Sequence, residues 1–427
     1  MERYNDYKAT SMQWLKEIPS HWEERKMKYC FKERSEKSHP NEPVLCATQS
    51  QGVIPQSMYA NRVVVVNKGF EGLKLVKEGD FVISLRSFEG GIEYAYYQGI
   101  ISAAYTVLEP KNPSESENWK YLFKSFPYIS LLQTCVTGIR EGQNINYPLL
   151  SRKFIPVPPL TEQEKIVSYI ESKTLKIDEY IAEKEKEIRL LNELKEAEIA
   201  KVVTQGLNPN VKMKDSGISW IGMIPEHWET KRVASLFTGK VKANSDFAYK
   251  HAFKFYYGTL VPKDEVGDAE EYRETYVKYQ VVQKDDILIN GLNLNYDFIS
   301  QRVAIAPKDG IITSAYIVAR PRKGTNADYY NYLFKAMDSK KLFHGMGTGI
   351  RLTLSFDELK KQLVVCPPKD EQKAIVEYIN DKCNKINSLV SDLESEIDYL
   401  KEYKQRLIAD CVTGQVNVQI LNNGFNQ

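Results

Sequence analysis

The sequence predicts an α+β chain built twice: two mixed α/β domains, each followed by a long helix, with the two helices packing as an antiparallel coiled coil of pseudo-twofold symmetry. Three observations carry this. The stretch from Pro158 to Gly206 returns from Pro367 onward, at an offset of 209 that holds without a gap to Val203 and Val412. Upstream segments recur in the same order at offsets of 206 and 211. Inside the returning stretch apolar residues alternate at steps of four and three, the period of a coiled-coil seam.

The helices come first. In both copies Thr161 or Asp370 stands where a side-chain oxygen can cap the first free amides, Glu and Gln follow, and Pro-Pro upstream blocks extension backward. The seam runs through Ile177, Ile181, Ile188, Leu191 and Val202 in copy one. In copy two it runs through Ile386, Val390, Leu393, Ile397, Leu400, Leu407 and Cys411. From Thr161 to Thr204 such a helix is roughly 65 Å long. It cannot bury its stripe alone, and the nearest similar stripe is the other copy, so the two are expected to pack within the chain. Lys195 aligns with Lys404, while Lys184 stands where copy two has Leu393 and Glu198 where it has Leu407.

The domains repeat by markers. Ser11 to Phe31 matches Gly217 to Phe237, with Trp14 on Trp220 and Trp22 on Trp228. Lys77 to Ser84 matches Gln283 to Asn290, Tyr105 falls on Tyr316, and the tetrapeptides Tyr121 to Lys124 and Thr137 to Arg140 recur verbatim from Tyr332 and Thr348. Between markers the copies diverge: 34–76 against 240–283, and 89–98 against 293–300, share almost nothing. Apolar runs at 62–67, 80–85, 286–290 and 302–306, bounded by Gly, Asp and Asn, read as strands, and helices are expected over 119–134 and 329–344. The boundaries expected are a first domain at 1–157, a helix at 158–206, a linker at 207–216, a second domain at 217–366, a helix at 367–413 and a tail at 414–427.

Composition is that of an ordinary globular protein: 427 residues, 42% hydrophobic and 27% charged, with a net charge of +2 that neither announces nor excludes nucleic acid. No apolar run reaches the roughly 18 residues that span a bilayer, and the first residues have no signal-peptide core. A cytoplasmic chain without membrane contact is expected.

Catalytic motifs are missing. Val157 to Leu160 and Cys366 to Lys369 superficially resemble the Pro-Pro loop of amino-methyltransferases, but lack the polar first residue that would hold the target amine. Gly345 to Gly349 has neither a strand before it nor an acidic residue at dinucleotide spacing, and no phosphate-binding loop for ATP occurs. The six cysteines form no C-x-x-C pair, the five histidines no i, i+4 pair, and His21 and His227 read as packing corners. No metal site or cofactor is expected in this chain.

What remains is binding chemistry. Arg140 and Arg351 occupy equivalent loops after a helix, where a guanidinium could grip phosphate, read guanine or hold a salt bridge within its own half. The divergent segments and their edges carry Arg86, Ser87, Tyr94 and Tyr96 in half one, and Asn290, Asn293, Asn295, Tyr296 and Arg302 in half two. These residue types read base edges or bind phosphate, or else simply face water.

Together the Trp-x-x-x-Ile-Pro-x-His-Trp segments (14–22 and 220–228), the blocks around Asp80 and Asp286, the Thr-Gly-Ile-Arg loops and the Pro-Pro-x-x-Glu-Gln helix entries resemble the DNA specificity subunit of type I restriction-modification systems. The resemblance covers nearly the whole chain. It implies a non-catalytic subunit whose two target recognition domains each read one half of a split, asymmetric site in double-stranded DNA. It implies that the paired helices space the two half-sites and bind two adenine-methylating modification subunits, to which restriction subunits can add. S-adenosylmethionine, and ATP with magnesium, then belong to those partners. Lys184 and Glu198 become candidate docking points for a modification subunit. A protein-only coiled-coil scaffold is the competing reading.

Overall fold

The computed structural model describes residues 2–60, 69–138, 144–239, 241–263, 268–349 and 352–421. The strand expected at 62–67 lies outside the described residues. The chain divides into two compact units, Met1–Lys184 with Glu394–Gln427, and Glu185–Leu393. Each unit contains one domain and one end of both long helices.

Each domain is organised on an antiparallel sheet of the same order. In the first unit it runs Phe31–Arg34, Thr106–Pro110, Phe81–Ile83 and Glu93–Tyr94; in the second, Phe237–Thr238, Ile317–Pro321, Ile287–Ile289 and Val303–Ile305. Beside it a second pairing recurs, Lys74–Val76 with Gly99–Ile101 and Gln280–Val282 with Gly310–Ile312. The segments that share almost no sequence nevertheless each fold a hairpin, Leu45–Thr48 with Gly52–Pro55 and Phe253–Tyr256 with Thr259–Pro262.

Duplicated motifs turn out to be joints. His21 Nε2 lies 2.7 Å from Glu162 Oε2, and His227 Nε2 lies 2.6 Å from Glu371 Oε1. Trp228 Nε1 donates to the other oxygen of Glu371 at 2.9 Å. The His-Trp corner of each domain is thereby tied to the Glu of its helix entry. The glycine that ends each long helix completes the corner. Gly414 and Gly206 both have positive φ, and both lie against a corner tryptophan, Trp22 in the first unit and Trp228 in the second. Only glycine takes that backbone without strain.

Asp80 and Asp286 pin their strands from within. Each accepts a backbone N–H from three residues earlier, Lys77 or Gln283, at 2.8 Å. Each also takes an arginine in a two-pronged bond, but from different strands. Arg34 on the edge strand serves Asp80 at 2.8 and 3.2 Å, whereas Arg320 on the neighbouring inner strand serves Asp286 at 2.7 and 3.0 Å. At the position of Arg320 half one has Glu109, which itself pairs with Arg34 at 3.1 Å.

The long helices span Leu160–Gln205 and Lys369–Val412. They begin two residues earlier than a cap at Thr161 or Asp370 requires, so both residues lie inside the first turn. The prolines themselves close the start: the Pro159 carbonyl accepts from Glu162 and Gln163, while the Gln163 and Gln372 amides donate to the Pro158 and Pro367 carbonyls at 2.8 Å. Within each unit the two helices run antiparallel. Lys404 donates to Asp178 at 2.6 Å in the first unit, and Lys195 donates to Asn387 at 3.0 Å in the second. These are the same aligned positions, so one cross-helix contact is used twice. Lys184 and Glu198 also serve this pairing: Lys184 lies 3.4 Å from Glu396, and Glu198 accepts from Tyr378 at 2.7 Å.

Three further expectations shift. The helix expected over 119–134 is two, Ser116–Leu122 and Phe126–Gln133, because Pro127 must sit in a first turn. Its counterpart is continuous over Ala327–Ser339, and a separate short 3-10 turn, Leu342–Gly345, follows. The linker segment holds a strand, Met213–Asp215, paired with Met223–Pro225 just as Tyr7–Ala9 pairs with Glu17–Pro19. Among the described residues no helix is long and apolar enough to cross a membrane.

Candidate nucleic-acid interface

In half one the candidates divide by exposure. Arg86 is exposed at the start of the short helix Ser87–Gly90, while Ser87 is buried and its hydroxyl accepts from the Ser84 amide at 2.8 Å. Tyr94 is also buried, and its hydroxyl donates to Glu117 at 2.7 Å. Burial and that carboxylate raise the phenol well above its ordinary range. Tyr96 is 42% exposed and meets the Tyr94 ring edge-on at 4.9 Å. The Lys120 ammonium stands between the rings of Tyr94, Tyr96 and Tyr121, 5.1 to 5.6 Å from each centroid. Lys120 was not among the sequence candidates. Its position one helical turn before Lys124, beside Tyr121, is the signal that could have found it.

In half two the candidates converge on one loop. Arg302 follows it and is 1% exposed. Its guanidinium donates to the carbonyls of Asn290, Leu292 and Asp297 at 3.0, 2.8 and 2.7 Å. Those donors are spent inside the protein, which corrects Arg302 from a base contact to the post that shapes the loop. The loop is pinned elsewhere too. Asp297 accepts from the Ile299 and Ser300 amides, and these bonds hold its carboxyl down at about 2. Phe298 stacks on His344 at 4.6 Å, and Asn290 caps the turn by accepting from Leu292. So held, the loop presents Asn293, in a left-handed conformation, and Tyr296, which is 77% exposed. Asn295 lies half-buried between them.

Sequence reasoning missed the neighbour of that loop. The hairpin Phe253–Tyr256/Thr259–Pro262 turns through Tyr257 and Gly258, both with positive φ, as a tight two-residue hairpin requires. A side chain at Gly258 would strike Gln301, so hairpin tip and loop touch. Tyr256 and Tyr257 at the tip, and Tyr296 and Ile299 on the loop, are all exposed. The Tyr-Tyr-Gly triplet was the hairpin's signal. Arg140 and Arg351 lie outside the described residues. Among the described residues no cluster of His, Cys, Asp and Glu could hold a metal ion.

The arrangement suits surface recognition. Each half carries exposed aromatic rings and polar side chains on braced loops, and the braces differ between the halves: Arg302 and Asp297 in half two, the Ser84–Ser87 and Tyr94–Glu117 bonds in half one.

The model of the type I restriction modification DNA specificity domain matches the chain twice, at residues 19–190 and 225–399. The type I restriction enzyme MjaVIII specificity subunit of Methanocaldococcus jannaschii is 25% identical over 380 residues, 82% of this chain and 81% of that subunit. The putative MjaX specificity subunit of the same organism is 24% identical over 325 residues, 73% of this chain and 71% of its own. Among solved structures, a chain from a type I restriction-modification system studied for complex assembly and conformational transition superposes with a TM-score of 0.63 at 16% identity, covering 93% of this chain and 99% of its own. The HsdS subunit from Thermoanaerobacter tengcongensis gives 0.50 at 16% identity over 93% of this chain and 98% of its own.

Proposed function

The chain belongs to the type I restriction-modification DNA specificity family, and from that premise we propose that its two domains read the two halves of a split DNA target, one half each. It is a specificity subunit, the non-catalytic component that acts with DNA and the other subunits of such a system. The finer reading assigns half one's contacts to the surface around Arg86, Tyr96 and Lys120, and half two's to Asn293, Tyr296 and the Tyr256–Tyr257 tip. Arg140 and Arg351, at matching positions of the repeated tetrapeptide, join them as phosphate or guanine contacts.

One contrast carries the reading. Corner, pin and helix entry are kept in both halves, while the exposed surfaces carried on that frame share almost nothing in sequence. A frame conserved under diverging surfaces is what two readers of different sequence need, and a protein-only scaffold does not need it. Two modification subunits are assigned to the paired helices. In support, the helices leave apolar side chains uncovered: Leu175 and Tyr399 in the first unit, Leu190, Leu194 and Leu389 in the second. Methyl transfer with S-adenosylmethionine, and ATP with magnesium where restriction subunits join, are supplied by those partners.

The test is to map methylated adenines in a host carrying this chain with its modification subunit, and again after exchanging residues 26–155 for those of another reader. A split motif in which only one half changes is expected. A motif indifferent to the exchange would transfer the choice of site to another subunit and favour the scaffold.

A further inference from the structure

The verbatim tetrapeptide Tyr-Leu-Phe-Lys places Lys124 and Lys335 at the same point of the two halves. Their surroundings differ. Lys124 Nζ lies 2.6 Å from Glu93 Oε1 and also donates to the Gly90 and Gln49 carbonyls at 2.9 and 3.2 Å. Glu93 sits opposite Val82 in its sheet. The same register in half two puts Ala304 opposite Leu288, the counterpart of Val82. The acid has become a methyl group. Among the described residues Lys335 has no ion pair and no hydrogen-bond acceptor, although it is largely enclosed.

A cavity of about 590 Å³ opens in front of it, within the range of roughly 300–1,000 Å³ typical of small-ligand sites. Lys195 and Lys341 share its wall with Lys335, and Asn192 and Asn387 add amides. Two acids line it as well. Glu196 is exposed at the lip, and Asp338 is buried with one oxygen committed to the Arg302 amide at 2.7 Å. Three ammonium groups against two carboxylates leave the wall with an uncompensated positive charge. Burial first, and the Lys195 charge after it, hold the Lys335 ammonium below the ordinary lysine range, against an opposing pull from the Cys383 thiol. A desolvated cation without a counter-charge is unfavourable, and a partner in a low-dielectric wall is held more strongly than in water.

We infer that this cavity takes an oxyanion, phosphate or carboxylate, which does for Lys335 what Glu93 does for Lys124. The anion comes either free from solution or on a side chain of a neighbouring subunit, and the two sources separate by experiment. In the first arm, equilibrium dialysis of labelled inorganic phosphate against the full chain in a zwitterionic buffer should show one saturable site. Lys335→Met should lose at least tenfold in affinity. The same variant should also unfold at a higher temperature than the parent without phosphate, because an unpaired buried charge is gone. Lys195→Met should weaken binding less, and Lys212→Met, on an exposed side chain of the same half, should leave it unchanged.

In the second arm, absence of phosphate binding together with at least tenfold weaker retention of the purified modification subunit by Lys335→Met assigns the anion to that subunit's carboxylate. The inference is overturned if phosphate does not bind and retention is unchanged, or if Lys335→Met binds phosphate like the parent. The phosphate arm is independent of DNA reading, so its failure leaves the proposed function standing.

Discussion

Arg302→Met removes the post from the half-two loop while keeping much of its buried volume. Three charge-assisted bonds are lost, each worth roughly 1.5–3 kcal/mol, which sets a gross range of roughly 4.5–9 kcal/mol. The loop can answer by opening, so that the three carbonyls meet water. We therefore expect the free energy of opening to fall by about 3 kcal/mol, the lower end of what breaking a buried charge contact costs. At about 1.4 kcal/mol per decade this speeds amide exchange roughly a hundredfold. The Ile299 and Ser300 amides, now bonded to Asp297, report it directly by hydrogen exchange and mass spectrometry. In the methylation map the half-two bases should become degenerate while the half-one bases stay fixed. Arg302→Lys, restoring one direction of the fork, should fall between. Unchanged exchange over 296–300 with an intact half-two motif would refute the assignment of Arg302 as the loop's post.

The helix-end glycines should differ in cost. At Gly414 a Cβ would stand 2.4 Å from the Pro19 ring, against 3.1 Å from Trp228 at Gly206. Gly414→Ala should destabilise by about 3 kcal/mol and Gly206→Ala by about 1–2 kcal/mol in denaturant titrations, and equal costs would contradict the corner geometry. Glu93 is raised by burial to about 7 even with Lys124 beside it, so the folded first unit binds a proton that the unfolded chain has released. Its stability should fall as pH rises from about 4.5 to about 7, by about 3 kcal/mol at most, then level off. Glu93→Gln should flatten that slope, and an unaltered slope would place the titration elsewhere. Asp178→Asn converts the first unit's cross-helix pair into the second's. The pair is exposed, so thermal unfolding should register less than about 1 kcal/mol, and a larger loss would mean it is more than a surface contact.

The duplicated frame was legible because its parts are local grammar repeated at fixed offsets: the His-Trp corner, the Asp pin, the Pro-Pro entry and the seam. What each part does was not legible, since the partner is distant in sequence. His21 meets Glu162 and His227 meets Glu371 across more than a hundred residues, and nothing in either motif names the other. The two hairpins escaped notice because their strands share little beyond the closing proline, Pro55 and Pro262, and a pairing that turn geometry and the adjacent sheet impose. Candidate contacts were chosen by residue type, which carries no information about direction. Hence Arg302 and Ser87 proved to be turned inward, whereas Tyr257, chemically as suitable, faces outward.

The aspartate pin has a consequence for how such chains diversify. Asp80 draws its guanidinium from position 34 and Asp286 from position 320, so the two halves solve one electrostatic problem with incompatible parts. A recombination crossover inside a half, between the edge strand and its inner neighbour, would crowd Arg34 and Arg320 onto a single carboxylate. The reciprocal product would set that carboxylate against Glu109 in place of an arginine. Breakpoints at the proline-marked helix entries carry each pin away with its own arginine. Exchange of whole halves thus keeps each pin balanced, whereas a mosaic half would have to fold around an unbalanced one.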